Sequence, residues 1–206
     1  MPCPLCGGPL EGLSGQPRLC PRCLQRLDLE RRGVRGTTPL PFPWWAAGSY
    51  GGPLRSVLLE LKRRPRGAVV DALIAGLERE AAGDGNALLT PIPSWRQRGN
   101  GLPSMLCERL ARKLRLTPAS LLVHRHPVLG QHHLGHRLRE ENQRGAFLCR
   151  NGPAGRRREV ILVDDILTSG ATLLSAAAAL RAAGWRVRGA VCLARTPRRG
   201  ERCRGQ

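Results

Sequence analysis

What this chain lacks narrows its chemistry first. Aromatic side chains are scarce: four Trp, one Tyr and two Phe in 206 residues. Platforms on which unpaired nucleic-acid bases could stack are therefore few beyond Trp44, Trp45, Trp95 and Trp185. No apolar run approaches the roughly 18 residues that cross a bilayer, and the opening MPCPLCGGPL has no signal-peptide pattern. A soluble protein of the cytoplasm, without membrane insertion, is the expectation. Lysine is nearly absent: Lys62 and Lys113 are the two among 34 cationic residues, so the other 32 are arginine. Neither lysine follows a glycine, which excludes the G-x-x-x-x-G-K-[ST] phosphate loop of nucleotide hydrolases. Acids are also few, 15 in all, and the net charge is +19.

Guanidinium forks suit phosphate geometry, and a charge of this size attracts polyanions. A high-GC genome accounts for arginine over lysine but poorly for the net charge. A phosphorylated or polyanionic partner is therefore favoured. Hydrophobic residues make up 41%, enough for a buried core. The length suits one domain with an appendage rather than two full domains.

Eight cysteines fall into two sets. Cys107, Cys149, Cys192 and Cys203 are scattered; the first three read as buried apolar fillers and the last as a free thiol. Cys3, Cys6, Cys20 and Cys23 form two C-x-x-C pairs in CPLCGGPLEGLSGQPRLCPRC. Each pair can fold into a knuckle that offers two thiolates, and two knuckles complete a tetrahedral S₄ site. Structural Zn²⁺ is the expected occupant, with disulfides or a degenerate ribbon as the alternatives. Four thiolates leave no open position for water, so such an ion serves folding rather than catalysis.

Along the chain, LQRLDLERRG suggests a short helix and GTTPLPFPW a proline-rich linker. Leu54, Val57, Leu58 and Leu61 recur at helical spacing, and Lys62 to Arg66 make a basic helix end, either solvated or phosphate-facing. Val69 to Glu80 and Leu102 to Leu116 read as further helices. ALLTPIP, SLLVHRH and WRVRGAVCLART read as strands. The expected fold class is α/β, a parallel sheet flanked by helices. The expected organisation is a Cys₄ zinc-ribbon-like segment (1–36), a linker and helical lead-in (37–86), an α/β domain (87–196) and a basic disordered tail (197–206). Ligands of such sheets sit at the carboxyl ends of the strands.

The most informative stretch is VILVDDILTSGAT, residues 160–172. An aliphatic strand ends in Asp164 and Asp165. A loop then offers the hydroxyls of Thr168, Ser169 and Thr172, with Gly170 allowing close approach, and Ala171 opens a helix. The helix points its positive end at the loop. An anion nest beside two carboxylates matches a ribose 5-phosphate, with the acids on the diol and the nest on the phosphate. A Mg²⁺ or phosphoacceptor site would use the acids but not the hydroxyls. A capped helix would need neither both acids nor all three hydroxyls.

VILVDDILTSGAT resembles the phosphoribosyl-pyrophosphate (PRPP) signature of type I phosphoribosyltransferases. With the cysteine knuckles, YGGPLRSVLLELK, TPIPSWRQRG and QHHLGHRLREENQRGAF, the whole layout resembles the ComF family of competence-associated, phosphoribosyltransferase-like proteins. The resemblance implies a transferase that moves a phosphoribosyl group to or from a nitrogenous base, with Mg²⁺ carried on the PRPP diphosphate. It places Asp164 and Asp165 on the ribose, Thr168 to Thr172 on the 5-phosphate, and Ser94, Arg96 and Arg98 in the pyrophosphate loop. Arg98 joins the two aspartates as a catalytic candidate. Arg125, Gln131, Arg137 and Asn142 fall in the mobile loop. Relatives usually continue R-G-F-N-Q where this chain has RGNGLPSM. The resemblance equally implies an accessory role with single-stranded DNA and DNA-uptake proteins, PRPP then being at most regulatory. His124, His126, His132, His133 and His136 crowd one loop, where a second metal site, a catalytic base or plain solvation are all open.

Overall fold

The computed structural model describes residues 2–10, 18–77, 86–94, 101–125, 145–154 and 159–197, with backbone alone for 30–32. Its centre is one sheet in the order β1-β2-β9-β7-β3-β4. These strands are β1 (Leu29–Gly36), β2 (Trp44–Ser49), β3 (Leu88–Pro91), β4 (Thr117–Pro118), β7 (Glu159–Val163) and β9 (Arg186–Arg195). The short β8 (Ile166–Leu167) adds to β9. All neighbours run parallel except β1, which pairs antiparallel with β2 at the edge. β5 (Leu122–His124) and β6 (Phe147–Cys149) form a separate antiparallel pair.

Both faces of the sheet are covered, as a buried parallel sheet requires. Alternation along β7 sends Ile161 and Val163 to one face and Val160 and Leu162 to the other. On the first face lie α2 (Gly52–Arg63), α3 (Gly67–Leu73) and α4 (Leu102–Leu114). Leu54, Leu58 and Leu61 line the buried side of α2 at 0% exposure, the stripe that the leucine spacing predicts. The second face takes α5 (Ala171–Ala182), where Ala176 and Ala177 let the helix lie close to the strands.

Several expected elements shift. LQRLDLERRG is not one helix: α1 (Pro21–Arg26) ends and β1 begins at Leu29. Trp44 and Trp45 do not merely lead into a helix but open β2, which sits beside β9. GTTPLPFPW is not a free linker, because Leu40 and Phe42 are buried against the α5 side. The helix expected over Val69 to Glu80 starts earlier and ends at Leu73, with 78–80 outside the described residues. No described helix is long and apolar enough to cross a membrane.

Candidate functional site

The strand ends deliver the site. β3 and β7 lie side by side in parallel, Pro91 opposite Val163, so the chain leaves both strands at the same edge. From β3 it continues through Ile92, whose N–H donates to Val163 O at 2.8 Å, to the exposed Ser94. From β7 it enters Asp164 and Asp165. The structure thus brings Ser94 and the acid pair to one edge. Arg96 and Arg98 lie outside the described residues, as do Gln131, Arg137 and Asn142. Arg125 is exposed at the end of the described stretch, its N–H bonded to Ala146 O at 2.9 Å.

The acid pair is held by β9. Asp164 N–H donates to Val191 O at 3.0 Å, and Asp165 O accepts from Leu193 N–H at 3.0 Å and Ala194 N–H at 3.2 Å. Asp165 N–H turns back to Asp164 Oδ1 at 2.8 Å. Asp164 is half-buried, yet its carboxyl is well shielded. Loss of hydration, then the like charge of Asp165, push it up from 3.8 to about 7, opposed by the Asp165 N–H and Lys62. The same two carboxylates, after burial, push the thiol of the buried Cys192 up, which keeps it protonated beneath them.

Asp165 is 7% exposed and continues the α2-facing side of β7. There its Oδ2 meets Lys62 Nζ at 3.0 Å. Lys62 belongs to the basic helix end that the sequence left either solvated or phosphate-facing, and the fold sets it against the acid pair. The clue was its chemistry: a chain with 32 arginines keeps lysine at two positions. Both lysines make point contacts, the other from Lys113 Nζ to Ala75 O at 3.1 Å. A compact ammonium is a point charge that suits contact with a single carboxylate oxygen.

Beyond Asp165 the chain forms an anion-type loop. Thr168 is exposed, Ser169 half-buried, and Ser169 Oγ accepts from Ala171 N–H at 3.4 Å. Gly170 precedes α5 with φ +84, and no acid occupies the first turn of the helix. The N–H groups and positive dipole end of α5 face this loop. Gly170 also has a packing role. A Cβ there would lie 2.8 Å from Leu40 Cδ2 and 3.1 Å from Pro39 Cγ, so its absence makes room for residues 39–40. Ala171 and Thr172 form the first turn of α5 and are half-buried.

The four N-terminal cysteines also converge. Their Sγ atoms all lie within 4.8 Å of one another, with Cys6 exposed and the other three buried. Cys6 and Cys20 sulfurs are 3.7 Å apart, too far for a disulfide, and the described cysteines are all free. A tetrahedral S₄ shell with bonds of about 2.3 Å has edges of about 3.8 Å, so the set fits one metal ion. Burial disfavours the Cys3 thiolate, but the N–H groups of Cys20, Cys6 and Leu5 outweigh it and draw the thiol down to about 6. Burial, then hydrogen bonding with Cys6, Cys20 and Cys3, pushes the Cys23 thiol up. No other cluster of metal ligands occurs among the described residues.

Two other expectations change. Trp44, Trp45 and Trp185 are 5%, 3% and 5% exposed, so they are core rather than stacking platforms; Trp95 lies outside the described residues. Cys107 and Cys192 are buried as expected, but Cys149 is half-buried with its thiol on Asn151 O. Of the five crowded histidines only His124 is described. Its Nε2 contacts Pro93 O at 3.0 Å and its ring tilts against Phe147 at 5.0 Å, tying the β5–β6 pair to the end of β3.

Comparison with known proteins gives an independent view of this arrangement. The phosphoribosyl transferase domain family matches residues 107–204, which include the acid pair and the anion loop. "DNA utilization protein YhgH" of Escherichia coli (strain K12) is 31% identical over 209 residues, covering 94% of this chain and 84% of that protein. The protein of the same name from Salmonella typhi is 30% identical over 211 residues, with the same coverage.

Proposed function

The chain belongs to the ComF family of phosphoribosyltransferase-fold proteins, and we propose that its strand-end site binds PRPP, or a ribose 5-phosphate ligand, and transfers the phosphoribosyl group to or from a nitrogenous base. One observation carries this reading: a carboxylate pair at the end of β7 runs directly into a helix N-terminus that no acid occupies. Asp164 and Asp165 accept from the ribose hydroxyls, and Thr168 to Thr172 hold the 5-phosphate. Ser94 with Arg96 and Arg98 faces the diphosphate, and the loop carrying Arg125, Gln131, Arg137 and Asn142 closes over it. Such a transfer passes through an oxocarbenium-like state, so positioning and electrostatics supply the acceleration. Mg²⁺ carried on the diphosphate adds charge neutralisation at the leaving group. In the Cys₄ site we propose Zn²⁺, whose preference for thiolates and closed tetrahedral shells suits the donor set.

The test is calorimetric titration of the full chain with PRPP and Mg²⁺, followed by pyrophosphate release across a panel of bases. Binding that vanishes when Asp164 and Asp165 are both changed to Asn supports the site. Absence of binding to the parent protein overturns it. Binding without release from any base leaves PRPP as a regulatory ligand and removes the transfer step.

The second reading, an accessory protein on single-stranded DNA, draws on the relatives' name and on exposed arginines such as Arg63, Arg64 and Arg112. Burial of three tryptophans counts against stacked bases. If that reading holds, affinity for a single strand falls steeply with salt; salt-independent binding removes it.

A further inference from the structure

Lys62 reaches the acid pair from outside the matched transferase segment. It follows Leu61 in the last turn of α2, and Leu54, Leu58 and Leu61 fix that helix in the core at 0% exposure. Its stem therefore starts from a rigid point, and its ammonium lies 3.0 Å from Asp165 Oδ2. The Asp165 side chain is 9% exposed and the Lys62 side chain 31%, so the cation is the more solvent-accessible member of the ion pair. A polyanionic ligand approaching two carboxylates meets like charge. A cation held at the carboxylates themselves offsets that repulsion where it is largest.

We propose that Lys62 is a ligand-binding residue of this site, and that its ammonium selects sugar phosphates bearing a second anionic group at C1. This rests on the ribose 5-phosphate reading above. In the fold Lys62 is paired with Asp165. When the ligand's diol takes over Asp165 Oδ2, the ammonium is released but stays anchored by α2, beside the sugar. There it pairs with the anionic C1 substituent. Coulomb attraction scales with the charge facing the ammonium, so a ligand with a neutral C1 hydroxyl gains far less from it. The N-terminal part of the chain would thereby set specificity for a site built from the C-terminal part.

The experiment measures affinities for PRPP with Mg²⁺ and for ribose 5-phosphate, on the full chain, by calorimetry. In Lys62→Met, PRPP affinity should fall by about tenfold or more, while ribose 5-phosphate affinity stays within about threefold. Lys62→Arg should recover most of the PRPP affinity. Lys62→Gln keeps a donor for the buried Asp165 without the charge, so it carries the test if Lys62→Met does not fold, and it should match the Met result. A merely structural role predicts equal losses for both ligands in every variant; that outcome, or no loss at all, overturns the proposal. If the parent protein binds neither ligand, the ribose 5-phosphate reading fails and this inference fails with it. If the parent binds both and the variants leave the ratio unchanged, this inference alone fails.

Discussion

Replacing Asp164 by Asn probes the electrostatics of the site before any ligand is added. Burial and the neighbouring Asp165 raise the Asp164 carboxyl from 3.8 to about 7. Folding therefore takes up a proton between those pH values. The associated stability is fully present below about 3.8 and is lost as pH rises through about 7. At about 1.4 kcal/mol per decade the ceiling on that loss is about 4 kcal/mol. Asp164 keeps part of its surface in water, so the expected cost at pH 8.5 is about 2 kcal/mol. Asn carries no charge and can still accept the 2.8 Å bond from Asp165 N–H. Asp164→Asn should therefore be more stable than the parent at pH 8.5, by about 2 kcal/mol in urea unfolding. The gap should open from about pH 4 and level off above about 7. Cys3, drawn down from 9.0 to about 6, acts with the opposite sign between those pH values, a window that overlaps this one only near 6 to 7. Its contribution is common to both proteins and cancels in the difference. A variant less stable than the parent at pH 8.5, or a gap that does not change with pH, refutes this account. The same substitution should weaken PRPP binding, a gain of stability at the expense of the ligand.

Gly170→Ala forces an L-residue to φ +84, at about 1–2 kcal/mol, and presses its methyl on Leu40 and Pro39. A total near 2–3 kcal/mol should lower the calorimetric Tm by about 4–10 °C for a chain of this length; an unchanged Tm would contradict the packing of residues 39–40 on this loop. Metal analysis should find one equivalent per chain, lost in Cys20→Ser. A chelator should cost the parent at least about 2 kcal/mol of unfolding free energy, and none in Cys20→Ser. Leu58→Ala empties a fully buried position of α2 and should cost about 2–5 kcal/mol in denaturant unfolding. If Lys62 depends on that helix for its place, the variant should also shift the ratio of PRPP to ribose 5-phosphate affinity.

The strand, acids, loop and helix of residues 159–182 were legible because each follows from local chemistry. Val160 to Val163 is an aliphatic run that a central parallel strand requires, and the hydroxyl–glycine loop cannot continue it. β1 and β2 were not legible. LERRGVRG carries its charges because β1 is an edge strand, and Gly33 lies in the register shift between Leu29 and Val34, with the Trp45 ring against it. WWAAGS is short and rich in small residues, and its pairing with β9 joins Trp44 to Ala190, a contact that no local pattern announces. Lys62 was hidden for the same reason. Its helical position was plain, but its partner lies about a hundred residues away in the turn after β7.

These distant pairings change what the cysteine segment is. In sequence it looks like an appendage, with almost no core of its own unless an ion supplies one. In the fold, Cys3, Cys20, Cys23 and Leu27 belong to the same buried cluster as Leu54, Leu58 and Leu61 of α2. That helix ends at Lys62 and Arg63, and Lys62 ends on Asp165. The metal-type site and the acid pair are therefore joined through one packed layer, with α2 as the shared element. Interiors packed at this density transmit displacement rather than absorb it. The last turn of α2 positions the ammonium. Folding of the N-terminal segment and charge at the ligand site are thus parts of one construction.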